Sequence, residues 1–131
     1  MTVRIDDTLR DSQVDNAASV VADSGVLEFR TGAQPASAND VASGTLLATI
    51  TLPATAFGAS SGGSAAKAGT WQATVIAAGT AGWARMRNTG DTIRMDMDVG
   101  VTAEDIVFDV VVWEVDGVVT IDTATLSQPA S

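Results

Sequence analysis

Leu27-Glu28-Phe29-Arg30-Thr31-Gly32-Ala33-Gln34-Pro35 and Gly44-Thr45-Leu46-Leu47-Ala48-Thr49-Ile50-Thr51-Leu52 decide the fold class. In the first piece Leu27 and Phe29 fall on one side of an extended chain, Glu28 and Arg30 on the other, the period-two pattern of a half-buried strand. In the second, Leu46, Ala48, Ile50 and Leu52 alternate with Leu47, Thr49 and Thr51, and Pro53 ends the run because it has no N–H to give a ladder. Between them Gly32, Pro35, Asn39, Asp40 and Gly44 supply turn and loop chemistry. The reading is a strand, a Gly/Pro-bounded excursion and a returning strand.

Upstream, Asp6-Asp7-Thr8 offers short oxygen-bearing side chains and negative charge to a helix N-terminus. Val14, Ala17, Ala18 and Val21 follow at i, i+3, i+4 and i+7, with Leu9 earlier, which predicts a helix over 7–23 with a narrow, Ala-rich apolar stripe. Gly25 is its expected left-handed cap. Residues 1–6 are a possible arm. Downstream, 57–69 reads as a long flexible loop rich in Ala, Ser and Gly. Trp71, Ala73, Val75 and Ala77 alternate as a strand. So does 83–87, with Ala84 and Met86 on one face and Trp83, Arg85 and Arg87 on the other. Asn88-Thr89-Gly90-Asp91 is a hairpin signal, and Ile93, Met95, Met97 and Val99 then share the buried face of the most regular strand. Residues 105–115 are apolar on both faces and return through an Asp116-Gly117 turn into 118–126, with 127–131 as a frayed tail.

This amounts to roughly seven or eight short strands and one N-terminal helix, without βαβ alternation. The expected fold is mainly β: a single domain over 1–131, an antiparallel β-sandwich or jelly roll with one short N-terminal helix.

The composition narrows the chemistry. The chain has 131 residues, no His, no Cys and a formal charge of −9. Disulfides, most zinc, copper and haem sites, and catalytic triads built on His or Cys are excluded. Seven scattered basic residues with no run argue against nucleic acid as a partner. No apolar stretch approaches the ~20 residues of a membrane span, and no basic-then-apolar segment suggests a secretory leader. No cofactor is expected.

The acidic group Asp96-Met97-Asp98, with Glu104 and Asp105, is the densest carboxylate cluster. It lacks the loop pattern of a calcium site and reads as a solvated strand face with Arg94 as neighbour. A two-carboxylate hydrolase would draw on Asp96, Asp98 or Glu104. The Gly/Ser run before Lys67 lacks phosphate-loop spacing, because Ala68 stands where Ser or Thr is needed. If Ile106, Phe108, Val110 and Val112 point inward, then Val107, Val111 and Trp113 point outward, under either the helix 7–23 or a partner subunit. Trp83 with Arg85 and Arg87 forms a second outward stripe, either an interface anchor or cross-strand shielding. A sugar-binding jelly roll would use Trp71, Trp83 or Trp113.

Thr31-Gly32-Ala33-Gln34-Pro35-Ala36 and Gly44-Thr45-Leu46-Leu47-Ala48 resemble motifs of a family of small tailed-bacteriophage virion proteins, which carry Thr-Gly-x-Gln-Pro-Ala after a strand and later Gly-Thr-Leu-Leu-Ala. Ala56-Phe57-Gly58 and Ala81-Gly82-Trp83-Ala84-Arg85-Met86 are further matches, although the family usually has Thr where Gly82 stands and a large apolar residue where Ala84 stands. The resemblance implies a non-enzymatic virion component. The first expectation is a jelly-roll cement protein on the outer surface of the capsid, with a neck or tail accessory protein second. It implies the major capsid protein and further copies of this chain, as a dimer or trimer, as partners. The expected contact residues are Trp83, Arg85, Arg87, Val111, Trp113 and, on the arm, Ile5.

Overall fold

The computed structural model describes residues 6–100, 106–108 and 112–127. Helix α1 spans Asp7–Ala17. Its N-cap is Asp6, whose carboxylate accepts from the Leu9 amide at 2.9 Å. The last turn, Ala18–Ala22, widens into a π-helix in which the Asp23 amide donates to Ala18 O. A π-turn shifts the facing positions, and here Ala18, Val21 and Ala22 all reach the core with Val14. The expected uniform helix over 7–23 is corrected to that extent. Leu9 stays outside, 45% exposed.

The cap also differs from expectation. Ser24 takes the left-handed conformation, with φ 58. Gly25 serves a different need: a Cβ there would run into the carbonyls of Val21 and Arg87. Its missing side chain lets the helix end touch the end of a central strand.

The strands are β1 Val26–Arg30, β2 Leu46–Thr51, β3 Ser64–Ala66, β4 Gln72–Thr74, β5 Gly79–Thr80, β6 Trp83–Arg87, β7 Arg94–Gly100, β8 Ile106–Phe108, β9 Val112–Trp113 and β10 Val118–Ser127. The chain is mainly β, with one short helix and antiparallel sheets. The large sheet runs β2-β1-β6-β7-β8-β10-β3, with β4 also on β10, and β5 pairs with β9 apart from it. One described pair, β7 with β8, is parallel, where an antiparallel arrangement throughout was expected.

The period-two reading of β1 and β6 holds, and that of β2 holds from Ala48 onward; at Leu46-Leu47 a register shift against Phe29 and Arg30 interrupts it, and Leu47 is fully buried beside Ala48. Leu27, Phe29, Ile50, Ala84, Met86 and Met97 are buried on one side of the sheet. Together with Val14, Val21, Trp71, Val75, Ile106, Trp113, Ile121 and Leu126 they form one continuous core. Ile93 departs from the expected stripe, since it precedes β7 and is 42% exposed.

Two stretches fold differently from their local pattern. Residues 57–69, expected as a flexible loop, hold β3 and the Phe57–Lys67 and Ser61–Ser64 bridges. Phe57 stands edge-on to Trp71 at 5.4 Å, and Asp11 of α1 binds the turn through Gly63 N at 2.7 Å. The expected single strand over 105–115 is instead β8 on β10 and β9 on β5. Strand β10 joins three partners along its length, β4, β8 and β3. Ser127, expected in the frayed tail, pairs with Ser64.

Candidate functional site: an arginine-lined groove

Strand register decides which outward side chains meet. In β1, β6 and β7 the residues facing each other are Glu28, Arg85 and Asp96 in one row, Arg30, Trp83 and Asp98 in the next, and Arg87 with Arg94 in a third. Directly opposed residues share a face. The alternate positions of three strands therefore build one charged lattice on the side of the sheet away from the core.

Its centre is Arg85. The guanidinium donates to both carboxylate oxygens of Asp96, at 2.8 and 3.1 Å, and the two side chains are only 4% and 5% exposed. Bidentate geometry suits this pair, because planar fork meets planar carboxylate. The hydrogen bond to Asp96 holds the Arg85 pKa above its ordinary value, against the opposing effect of burial. The Arg85 Cζ also lies 5.3 Å from the Trp83 ring centroid, within cation–π reach. At the hairpin, Arg94 makes a second two-bond contact, to Asp91 at 2.9 and 3.2 Å. That contact lowers the Asp91 pKa from the usual carboxylate value.

Glu28 is shared. It faces Arg30 at 3.5 Å and Arg87 at 3.4 Å, both longer than the other pairs. Arg30 also reaches Gly44 O at 3.4 Å, and its Nε–H is buried without a partner. Arg30, Arg85, Arg87 and Arg94, with Glu28 and Asp91, line a groove of about 350 Å³ whose lip is Val41 and Ala42 from the 31–45 excursion. The excursion is tied back by Thr31 N to Thr45 O at 3.1 Å, Thr45 N to Thr31 Oγ1 at 2.9 Å and Ser43 Oγ to Ala33 O at 3.2 Å. Four of the chain's seven basic residues thus converge on one surface of an acidic protein.

The expected contact residues are redistributed by this geometry. Trp83, Arg85 and Arg87 do share a face, but not as an exposed stripe. Trp83 is fully buried and Arg85 nearly so, because neighbouring strands on both sides supply side chains that cover them. Trp113 is buried in the core on the opposite side, edge-on to Phe29 at 5.1 Å. Ile5 and Val111 lie outside the described residues, as do Glu104 and Asp105. Asp96, expected on a solvated face beside Arg94, is instead the buried partner of Arg85. All three tryptophans are buried, so none presents a ring face to a sugar. Among the described residues no group of acidic side chains has the arrangement of a metal site, and no helix is long and apolar enough to cross a membrane.

Sequence reasoning missed Glu28, Arg30, Asp91 and Arg94 as members of one site. The signal was present as the outward alternation Glu28-x-Arg30 and Arg85-x-Arg87, but their meeting depends on β1 pairing with β6 across a long sequence separation. Comparison with protein-family models, curated proteins and solved structures finds no match for the chain.

Proposed function

We propose that this chain is a non-enzymatic structural component of a tailed-phage virion, a decoration protein that binds the outer surface of the assembled shell, contacts the major capsid protein and further copies of itself as a dimer or trimer, and has a sandwich architecture of the jelly-roll type that is antiparallel apart from the β7–β8 pair. The observation that carries the reading is the pair of motifs at 31–36 and 44–48, which resemble those of small virion proteins and here bracket the excursion between β1 and β2. The two departures from that family's pattern have local causes. A side chain at Gly82 would meet the Gly32 carbonyl, and Ala84 is fully buried against the core where β1 crosses β6.

With Trp83 and Trp113 inside, the binding surface moves to exposed aliphatic side chains. Ile76, Val115 and Val118 are 61%, 53% and 66% exposed. They surround one turn, where Asp116 N donates to Val75 O and Val75 N donates to Gly117 O. Apolar side chains grouped on a rigid turn suit contact with a partner surface. Val41, 88% exposed on the excursion, is the other candidate.

The test is co-sedimentation of the chain with shells assembled without it, followed by electron microscopy of the pellet. The chain is expected to decorate the shell, and Val118→Asp or Ile76→Asp to weaken decoration without unfolding the protein. Absence of the wild-type chain from the pelleted shells would sink the reading.

A further inference from the structure

The carboxylates of the groove do not match its guanidinium groups one to one. Asp96 is committed to Arg85 and Asp91 to Arg94, each through two bonds. Arg30 and Arg87 are left with Glu28 between them, at long distances. Four arginines therefore line the groove against two lining carboxylates, Glu28 and Asp91, with Asp96 bound to Arg85 and Asp98 on the same face of β7 but outside the lining. The shortfall is localised at Arg30 and Arg87, where the buried Arg30 Nε–H has no acceptor. A partly desolvated guanidinium is stabilised by a second anion far more than an exposed one is. The groove also has depth, with nearly inaccessible Arg85 in its wall and the Val41–Ala42 lip at its edge.

We infer that this groove is an oxyanion-binding site, taking a carboxylate or phosphate group between Arg30 and Arg87, with Arg85 and Arg94 as flanking positive charges. The inference stands on the lattice itself and is independent of the virion reading. An oxyanion entering there supplies negative charge and acceptor lone pairs to the exposed parts of the Arg30 and Arg87 side chains, which are 19% and 24% accessible; the buried Arg30 Nε–H stays behind them. Arginine suits both planar carboxylate and tetrahedral phosphate because its donors lie in a fixed fork. Trp83, fixed beneath Arg85, keeps that guanidinium from turning toward the ligand, so Arg85 contributes field rather than a direct bond.

The experiment titrates the intact chain separately with inorganic phosphate and with succinate, following the arginine Nε–H resonances by NMR. At least one anion is expected to bind saturably and to move the Arg30 and Arg87 signals. Binding of phosphate alone identifies a tetrahedral oxyanion as the ligand class, and binding of succinate identifies a carboxylate. Arg87→Gln should weaken binding by about tenfold or more, the consequence of losing one charge-assisted contact. Arg94→Gln, at the more exposed end of the groove, gives a smaller loss and serves if Arg87→Gln does not fold. Lys67→Gln, whose ammonium binds Gly69 O outside the groove, should leave affinity unchanged. If neither anion moves the Arg30 and Arg87 signals, or if the arginine variants that fold bind as tightly as wild type, the site does not exist.

Discussion

Replacing Asp96 by Asn tests the centre of the lattice, because it keeps the shape of the side chain and removes its charge. Arg85 would remain with its side chain 4% exposed and no carboxylate bonded to it, with Glu28 facing it from β1 as the nearest remaining negative charge in its row. Breaking a buried ion pair by removing one member costs roughly 3–5 kcal/mol. The lower end applies here, since Arg85 keeps its place over Trp83 and borders the groove. A loss of about 3 kcal/mol is a large part of the roughly 5–15 kcal/mol that holds a domain together. It should lower Tm by roughly 10 °C for a chain of this size. The double variant Arg85→Met with Asp96→Leu removes both charges and both desolvation costs, and should lie within about 1 kcal/mol of wild type. Urea unfolding of wild type, Arg85→Met, Asp96→Leu and the double variant completes a double-mutant cycle, with Asp96→Asn measured beside it. Moderate salt should change the coupling little, because the pair is shielded from mobile ions. If Asp96→Asn costs less than about 1 kcal/mol, the pair behaves like a surface ion pair and the account of a buried lattice is wrong.

Asn88→Ala should destabilise by roughly 2 kcal/mol, because the Asn88 side chain accepts from the amides of Thr92 and Ile93 and donates to Thr92 Oγ1; chemical denaturation measures it. The two buried tryptophans should respond differently to Phe. Trp71→Phe loses the Nε1–H bond to Ala68 O, whereas the Trp83 Nε1–H has no partner to lose, so Trp71→Phe should cost about 1 kcal/mol more in the same melts. The Asp91 carboxyl has a folded pKa below its unfolded value because Arg94 donates to it. Its contribution is therefore fully present above the unfolded value of about 4 and is lost as pH falls through the folded one. The stability gap between wild type and Asp91→Asn should be constant from about pH 5 to 7 and close in more acidic solution, and a gap that widened on acidification would contradict the sign.

The division between sequence and structure follows the range of the interactions. Local spacing was enough for the strands β1, β2, β6 and β7, for the Asn88 hairpin and for the Asp6-capped helix, because each depends on residues a few positions apart. Local pattern failed where a distant partner decided the outcome. The 57–69 stretch looks like a linker, yet it becomes β3 because β10 supplies the ladder. The continuous apolar run 105–115 divides between β8 and β9 because β10 and β5 draw on different parts of it.

The same limit governs the site. The opening stretch, Leu27 to Leu52, by itself established two alternating strands and the excursion between them, since strand periodicity is a property of consecutive residues. It placed Glu28 and Arg30 on the outward face but could not say what stands beside them. Register is set by pairing between strands remote in sequence, and alternation leaves that choice open. Once β1 lies between β2 and β6, the outward residues become walls of an arginine-lined groove, and the tryptophans that alternation turned outward are covered by neighbouring strands and segments. Fold class was written in the period of the side chains; the groove was decided by which strands came to lie side by side.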